Sequence, residues 1–267
     1  MSYRVRERNT KLIVHVILIL GAVLMVTPFL WMVSTSLKSF AESMKVPPSF
    51  LPTVIHLDNF QSVIDKMDFA RYYFNTIWVT VCRTAGQLVL CSLAAYAFAR
   101  LKFPGKNILF IGILSVLMVP SQVVLIPNFV IMKQLGWLDT FYALIVPGIF
   151  SAFGTFLLRQ FFMTLPSELD EAAKIDGCTY FGIYLRIFLP LSKAALVSLA
   201  IFTILASWND LLWPLIMTSS DEMRVLTIGI ASFQGQHGTD YPLLMAGALM
   251  ATAADDSDVH RIPALFY

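Results

Sequence analysis

Five apolar stretches, at residues 12–33, 74–99, 108–127, 140–158 and 194–217, limit this chain to few possible folds. A hydrocarbon layer about 30 Å thick is crossed by about 20 helical residues, and in it the backbone must satisfy its own hydrogen bonds. Each stretch is about that long. A sixth, 241–254, stops after roughly 14 residues, which is short for a crossing. The chain as a whole is 57% apolar and 13% charged, with a mean hydropathy of +0.72, a balance no water-facing domain of this length tolerates. The expected fold is an all-α membrane protein. An N-terminal segment 1–11 precedes a transmembrane domain over 12–254, and a polar tail 255–267 follows it.

Basic loops are retained in the cytoplasm, so Lys and Arg set the orientation. Arg4, Arg6, Arg8 and Lys11 precede the first stretch, Arg100, Lys102 and Lys106 crowd a short loop after the second, and Arg159, Lys174, Arg186 and Lys193 lie within 159–193. These segments share one side. The cations opposite are spread through longer loops and diluted by acids such as Glu42, Asp58 and Asp139. The N-terminus and the loop 159–193 are therefore expected in the cytoplasm. The first stretch has the look of a signal peptide, but Pro28 and Trp31 fit a retained span better than a cleavage site. Cys82, Cys91 and Cys178 fall within a span or on the reducing side and imply no disulfide framework.

The sequence holds no G-x-x-x-x-G-K-[ST] phosphate loop, no H-E-x-x-H and no G-x-S-x-G, and its four histidines are scattered. If the protein uses ATP, another chain must bind it. A net charge of +2 gives no argument for nucleic acid. Prolines at 28, 120, 147 and 214 fall inside the apolar stretches, where they bend helices and free backbone carbonyls.

Charged groups at membrane depth are costly, so the few present carry information. Asn209 and Asp210 lie in the fifth stretch between Trp208 and Trp213, and Arg83 lies in the second with Gln87 one turn on. Two readings stand. These residues line a polar path, with tryptophan faces suited to a sugar ring, or Asn209 and Asp210 brace helices while Arg83 snorkels or pairs with an acid.

Between the fourth and fifth stretches lies a polar island punctuated as a short helix. Ser167 and Asp170 fit a capping box, Pro166 precedes them, and Gly177 can take the left-handed conformation that ends a helix. Asp170 and Lys174 are spaced for an i,i+4 ion pair, and Ala172 with Ala173 offers a small-residue spot for close approach. The island is either an ordinary capped surface helix or a docking element.

The run Glu171-Ala172-Ala173, then Asp176-Gly177, then Ile187 and Leu189-Pro190-Leu191, resembles the cytoplasmic loop of permease subunits of bacterial ATP-binding-cassette importers. The segment 207–214, Ser-Trp-Asn-Asp-Leu-Leu-Trp-Pro, is similar to the fifth span of the carbohydrate-uptake branch, which includes the smaller maltose-type permease. Residues 93–97, 100–105 and 156–162 support the likeness, which runs from about the first span to Met250. The resemblance implies six spans and a homologous second permease subunit completing the pore. It also implies two cytoplasmic ATPase subunits that bind ATP-Mg, and an extracytoplasmic solute-binding protein delivering a sugar. In that family the helix bearing Glu171, Ala172, Ala173, Asp176 and Gly177, with Leu189 and Pro190 beyond it, inserts into the ATPase. The chain itself would be neither an enzyme nor a cofactor carrier, and would sit in the bacterial inner membrane. The outer segment 34–71 would form part of the platform for the binding protein.

Two departures stand out. Ala194 replaces a proline common among relatives, and after Thr252 the family's apolar span gives way to Asp255, Asp256 and Asp258. That change suggests a shifted reading frame near residue 252. A secondary transporter for a small polar solute is the alternative, and it would need several intramembrane carboxylates where this chain offers little beyond Asp210.

Overall fold

Residues 3–235 and 238–259 are described in a computed structural model of the chain, with side chains for 11–235 and 238–252. The fold is helical. In chain order the helices are α1 (Tyr3–Ser36), α2 (Phe40–Ser43), α3 (Asp58–Lys66), α4 (Phe69–Arg100), α5 (Lys106–Ser115), α6 (Leu125–Gln134), α7 (Phe141–Ile145) and α8 (Ala152–Thr164). There follow α9 (Glu168–Ile175), α10 (Tyr180–Ile183), α11 (Leu189–Leu191), α12 (Lys193–Trp208), α13 (Leu212–Met217), α14 (Leu226–Ala231) and α15 (Tyr241–Val259). Gln234–Gly235 and Gly238–Thr239 form a short antiparallel pair. Among the described residues three segments are long and apolar enough to cross a membrane, Lys11–Ser36, Phe69–Arg100 and Phe141–Thr164. A fourth is obtained when Tyr180–Leu191 and Lys193–Trp208, bent by 77°, count as one.

Several apolar stretches are not continuous helices, and their polar and proline residues explain why. The stretch 108–127 leaves helical geometry at Val119, which precedes Pro120 and is extended, because a proline ring crowds a helical residue before it. Helix resumes only at Leu125. The stretch 140–158 tightens into a single turn at Val146–Gly148 around Pro147, breaks, and continues as α8 to Thr164. The stretch 194–217 is interrupted between Trp208 and Leu212. In the sixth stretch the backbone helix runs on to Val259, past the expected end at 254. The side chains of Asp255, Asp256 and Asp258, the suggested frame shift and the tail beyond Val259 lie outside the described residues, as do the side chains of Arg4, Arg6 and Arg8.

Two compact units are recognisable. The larger is built from Phe69–Gly229, with α4 packed between α8 and α12. Without a hydrophobic drive between helices in lipid, close packing depends on small residues at the contacts. Gly154 of α8 is one of these, since an added methyl would lie 2.9 Å from Leu199 Cδ1 of α12 and 3.2 Å from Cys91 Sγ of α4. Toward Arg100 the interior is aromatic. Tyr96, Phe162, Tyr184 and Phe188 are buried with ring centroids 5.2 to 6.4 Å apart, and the Tyr184 hydroxyl meets Ser92 Oγ at 2.7 Å.

The second unit joins Met1–Asp68 to Ile230–Ala253. Its segment after α1 is long but ordered by its own polar side chains. Ser39 caps α2 through the Glu42 amide, and Asn59 Nδ2 donates to the carbonyls of Ser36 and Lys38. Lys38 Nζ donates to the Ser49 carbonyl. The Glu42 carboxylate accepts from the Thr53 N–H at 2.8 Å and from the Ser49 hydroxyl. The Thr53 N–H, chiefly, holds the Glu42 carboxyl below its usual 4.5, with smaller help from Ser49 and Lys45. A carboxylate depressed on folding stabilises above its unfolded pKa and loses that contribution as pH falls through the folded value. Acidification below 4.5 should therefore loosen residues 42–53, read as a rise in amide exchange at Thr53, normalised for intrinsic rate, that Glu42→Gln does not show. An equal pH response in the two proteins would refute this.

Candidate functional site

The polar island folds as α9. Its first turn carries Glu168, Asp170 and Glu171 and its last carries Lys174, matching charge to the helix dipole at both ends. The C-terminus closes as a Schellman motif. Gly177 has φ 77°, its N–H donates to the Lys174 carbonyl at 3.0 Å, and the Cys178 N–H donates to the Ala173 carbonyl at 2.9 Å.

The N-terminus departs from the expected capping box. Ser167 is helical and its side chain makes no capping bond, because Asp170 turns inward to Arg100 of α4, with Nη1 to Oδ2 at 3.4 Å. Both side chains are 12% exposed, so a charge-assisted contact there outweighs the neutral bonds of a capping box. Arg100 also donates to the carbonyls of Phe162 and Leu165 and lies over the Phe188 ring. Burial raises the Asp170 carboxyl above its usual range, opposed by the cations of Arg100 and Lys174. The expected Asp170–Lys174 pair is likewise replaced, with Lys174 Nζ 5.2 Å from the centre of the Tyr180 ring.

Nor do Ala172 and Ala173 form one outward spot. Ala173 is buried in the aromatic core, while Ala172 is exposed with Glu171, Lys174, Asp176 and Gly177. Ile175 is 87% exposed, and Tyr180 and Phe181 add apolar surface nearby. α9 thus has one face fixed to the bundle and one presented outward. Beyond it, Leu189 is half-buried and Pro190 exposed at the end of a π-helical turn, Tyr184–Phe188. Pro190 donates no backbone bond, and Ser192 instead serves the Phe188 carbonyl with both its N–H and its hydroxyl.

A second polar centre lies at membrane depth. Arg83 Nη1 pairs with Asp210 Oδ2 at 3.0 Å, and Arg83 Nε donates to the Leu144 carbonyl at 2.6 Å. One turn on, Gln87 Nε2 donates to the Gly148 carbonyl at 2.8 Å, and its Oε1 accepts from Thr203. Asp210 Oδ1 accepts from the Trp213 N–H, while its own carbonyl accepts from the Thr227 hydroxyl. Side chains of α4 therefore meet the polar groups freed by two helix breaks, at 144–148 and 209–211. Asn209 is exposed and caps α12 through the Leu205 carbonyl. Trp208 is buried, edge-on to Tyr73, and Trp213 Nε1 donates to the Ala143 carbonyl.

Sequence reasoning missed two partners. Arg100 looked like one more topological cation, and nothing local links it to an aspartate seventy residues on. Gly148, against which Arg83 lies so closely that an added methyl would fall 2.7 Å from Nε, had no signal beyond the adjacent Pro147. No cluster fit to hold a metal occurs among the described residues.

α9 thus belongs to a membrane domain of broken helical spans that holds one of its faces and leaves the other presented. The fold is similar to that of a chain from a crystal structure of a bacterial ABC transporter involved in the import of the acidic polysaccharide alginate. The TM-score is 0.82 at 21% identity, over 99% of this chain and 97% of that one. Residues 87–254 match the family of binding-protein-dependent transport system inner membrane components, and the chain belongs to it. It is 34% identical to the arabinooligosaccharides transport system permease protein AraQ of Halalkalibacterium halodurans, over 91% of this chain and 90% of that one. It is 30% identical to the lactose transport system permease protein LacG of Rhizobium radiobacter, over 94% and 92%. It is 33% identical to the sn-glycerol-3-phosphate transport system permease protein UgpE of Yersinia enterocolitica, over 91% and 90%.

Proposed function

We propose that this chain is the transmembrane subunit of an ATP-driven importer that moves a sugar or sugar derivative across the bacterial cytoplasmic membrane. The observation that carries this is α9, clamped inward by Asp170 and Ala173 and presenting Glu171, Ala172, Lys174 and Ile175 outward. A rigid helix held this way transmits a push that a loose loop would absorb. Two cytoplasmic ATPase subunits grip α9 and its counterpart on a homologous second permease. Their closure on ATP-Mg moves the membrane helices, and an extracytoplasmic solute-binding protein delivers the solute to the outer segment 34–71. The N-terminus and α9 face the cytoplasm. The names of the relatives support a carbohydrate or glycerol-phosphate cargo. Asn209, exposed at the break in the fifth span, lines the path, while Arg83, Trp208 and Asp210 hold its wall.

The test is uptake of labelled arabinotriose, lactose and glycerol 3-phosphate in a strain lacking the gene, complemented with wild type, Glu171→Ala or Gly177→Val. Gly177→Val forces a β-branched residue to positive φ, a strain of about 1–2 kcal/mol at the end of α9. Each variant should lower uptake by about tenfold, a typical coupling free energy, while protein still accumulates in the membrane. Undiminished uptake in both would overturn the coupling role of α9.

A further inference from the structure

α4 carries Arg83, which is buried, and Arg100, which is half-buried, and each holds an aspartate on a different part of the molecule. Arg100, its last residue, holds Asp170 on α9. Arg83 holds Asp210 at the break between α12 and α13, and through its Nε the break after α7. The two arginines are seventeen residues apart on one uninterrupted helix, roughly 26 Å at 1.5 Å per residue. A helix of this kind resists compression and bending, whereas the breaks that meet its middle depend in part on α4 side chains for their backbone partners.

Resting on the import function proposed above, we propose that α4 is the rod that carries motion of α9 to the mid-membrane break. Asp170–Arg100 is the input joint and Arg83–Asp210 the output joint. The four charged residues act as positioning residues. When the ATPases displace α9, the Asp170 carboxylate carries Arg100 with it, α4 shifts as a body, and Arg83 pulls on Asp210 and on the Leu144 carbonyl. The exposed wall at Asn209 then turns with the break. Gly148 and Gly86 let α4 lie flush on the 146–149 turn, so the output is delivered without slack. The warrant is mechanical, a continuous helix tied by one ion pair at its end to α9 and by another near its middle to the break.

The experiment uses the full importer, with both permeases, the ATPases and the binding protein, in proteoliposomes. Solute imported per ATP hydrolysed is measured for wild type, Asp170→Asn, Asp210→Asn and the double variant, using whichever of the three solutes named above the wild type imports. Asparagine keeps the shape and removes the charge, and at 210 it also removes one of the two acceptor oxygens, those now serving Arg83 and the Trp213 N–H. Sites this far apart normally contribute additively. If they are joints of one rod, each single variant lowers the ratio by about tenfold and the double is no worse than the poorer single. A double equal to the product of the singles, or singles with the wild-type ratio, overturns the proposal. Should Asp210→Asn fail to assemble, Arg83→Leu with Asp210→Leu takes its place, since that pair leaves no lone charge. Failure of both series to assemble means the pairs only brace the fold, and the proposal falls. A wild-type complex without ATP-dependent uptake of any of the three solutes would instead defeat the import function itself.

Discussion

Arg83→Leu is expected to cost the protein about 3–5 kcal/mol, the usual penalty for removing one partner of a buried ion pair. The Asp210 carboxylate, 24% exposed, would be left at membrane depth without its cation, and the Leu144 carbonyl without its donor. In detergent this corresponds to a fall in Tm on the order of 10 °C. The double variant Arg83→Leu with Asp210→Leu should recover more than half of that loss, because two apolar side chains leave no uncompensated charge. Thermal melts of wild type, both singles and the double decide it. A double that melts no higher than Arg83→Leu would mean the two residues are energetically independent.

The second large effect is steric. A methyl on Gly86 of α4 would sit 2.6 Å from Ile149 Cβ, 2.8 Å from its Cγ2 and 3.2 Å from its Cα. Those atoms belong to backbone and to a branched side chain, not to a flexible tip, so the only relief is to part α4 from the turn after α7. Gly86→Val should therefore destabilise by about 1–3 kcal/mol or more, and Gly86→Ala by less. Parting the elements would also lengthen the Gln87 to Gly148 bond, now 2.8 Å. Membrane accumulation and melts of the two variants test this. Gly112, with nothing within 4 Å of an added methyl, supplies the control, since Gly112→Val should cost little.

Element identity and the short helix α9 were legible in the sequence because both rest on local signals, namely apolar length and the punctuation from Ser167 to Gly177. Gly177 ends α9 as its conformational freedom suggests. The breaks were only half legible. Pro120 and Pro147 marked where helices would fail, but Asn209 and Asp210 break a stretch whose proline, Pro214, lies further on inside α13. Their side chains compete for backbone partners, a local effect hidden within an apolar run. Inward and outward faces were least legible. Asp170 fits a capping box in sequence and finds a stronger partner in space, and Ala173 is small because it enters the core beside Phe162 and Phe188, not for an incoming surface.

The spacing of the two arginines on α4 turns helix geometry into a ruler. Inserting or deleting a single residue between Arg83 and Arg100 would rotate one joint by roughly 100° relative to the other and shift it by roughly 1.5 Å, taking one guanidinium out of reach of its aspartate. Side chains on the lipid-facing flank of that interval can drift in identity at little cost, but its length cannot drift at all. Among natural variants of this chain, the lipid-facing flank of α4 between those positions should accumulate substitutions and the interval should carry no insertions, whereas the irregular segment at 119–124 can lengthen or shorten.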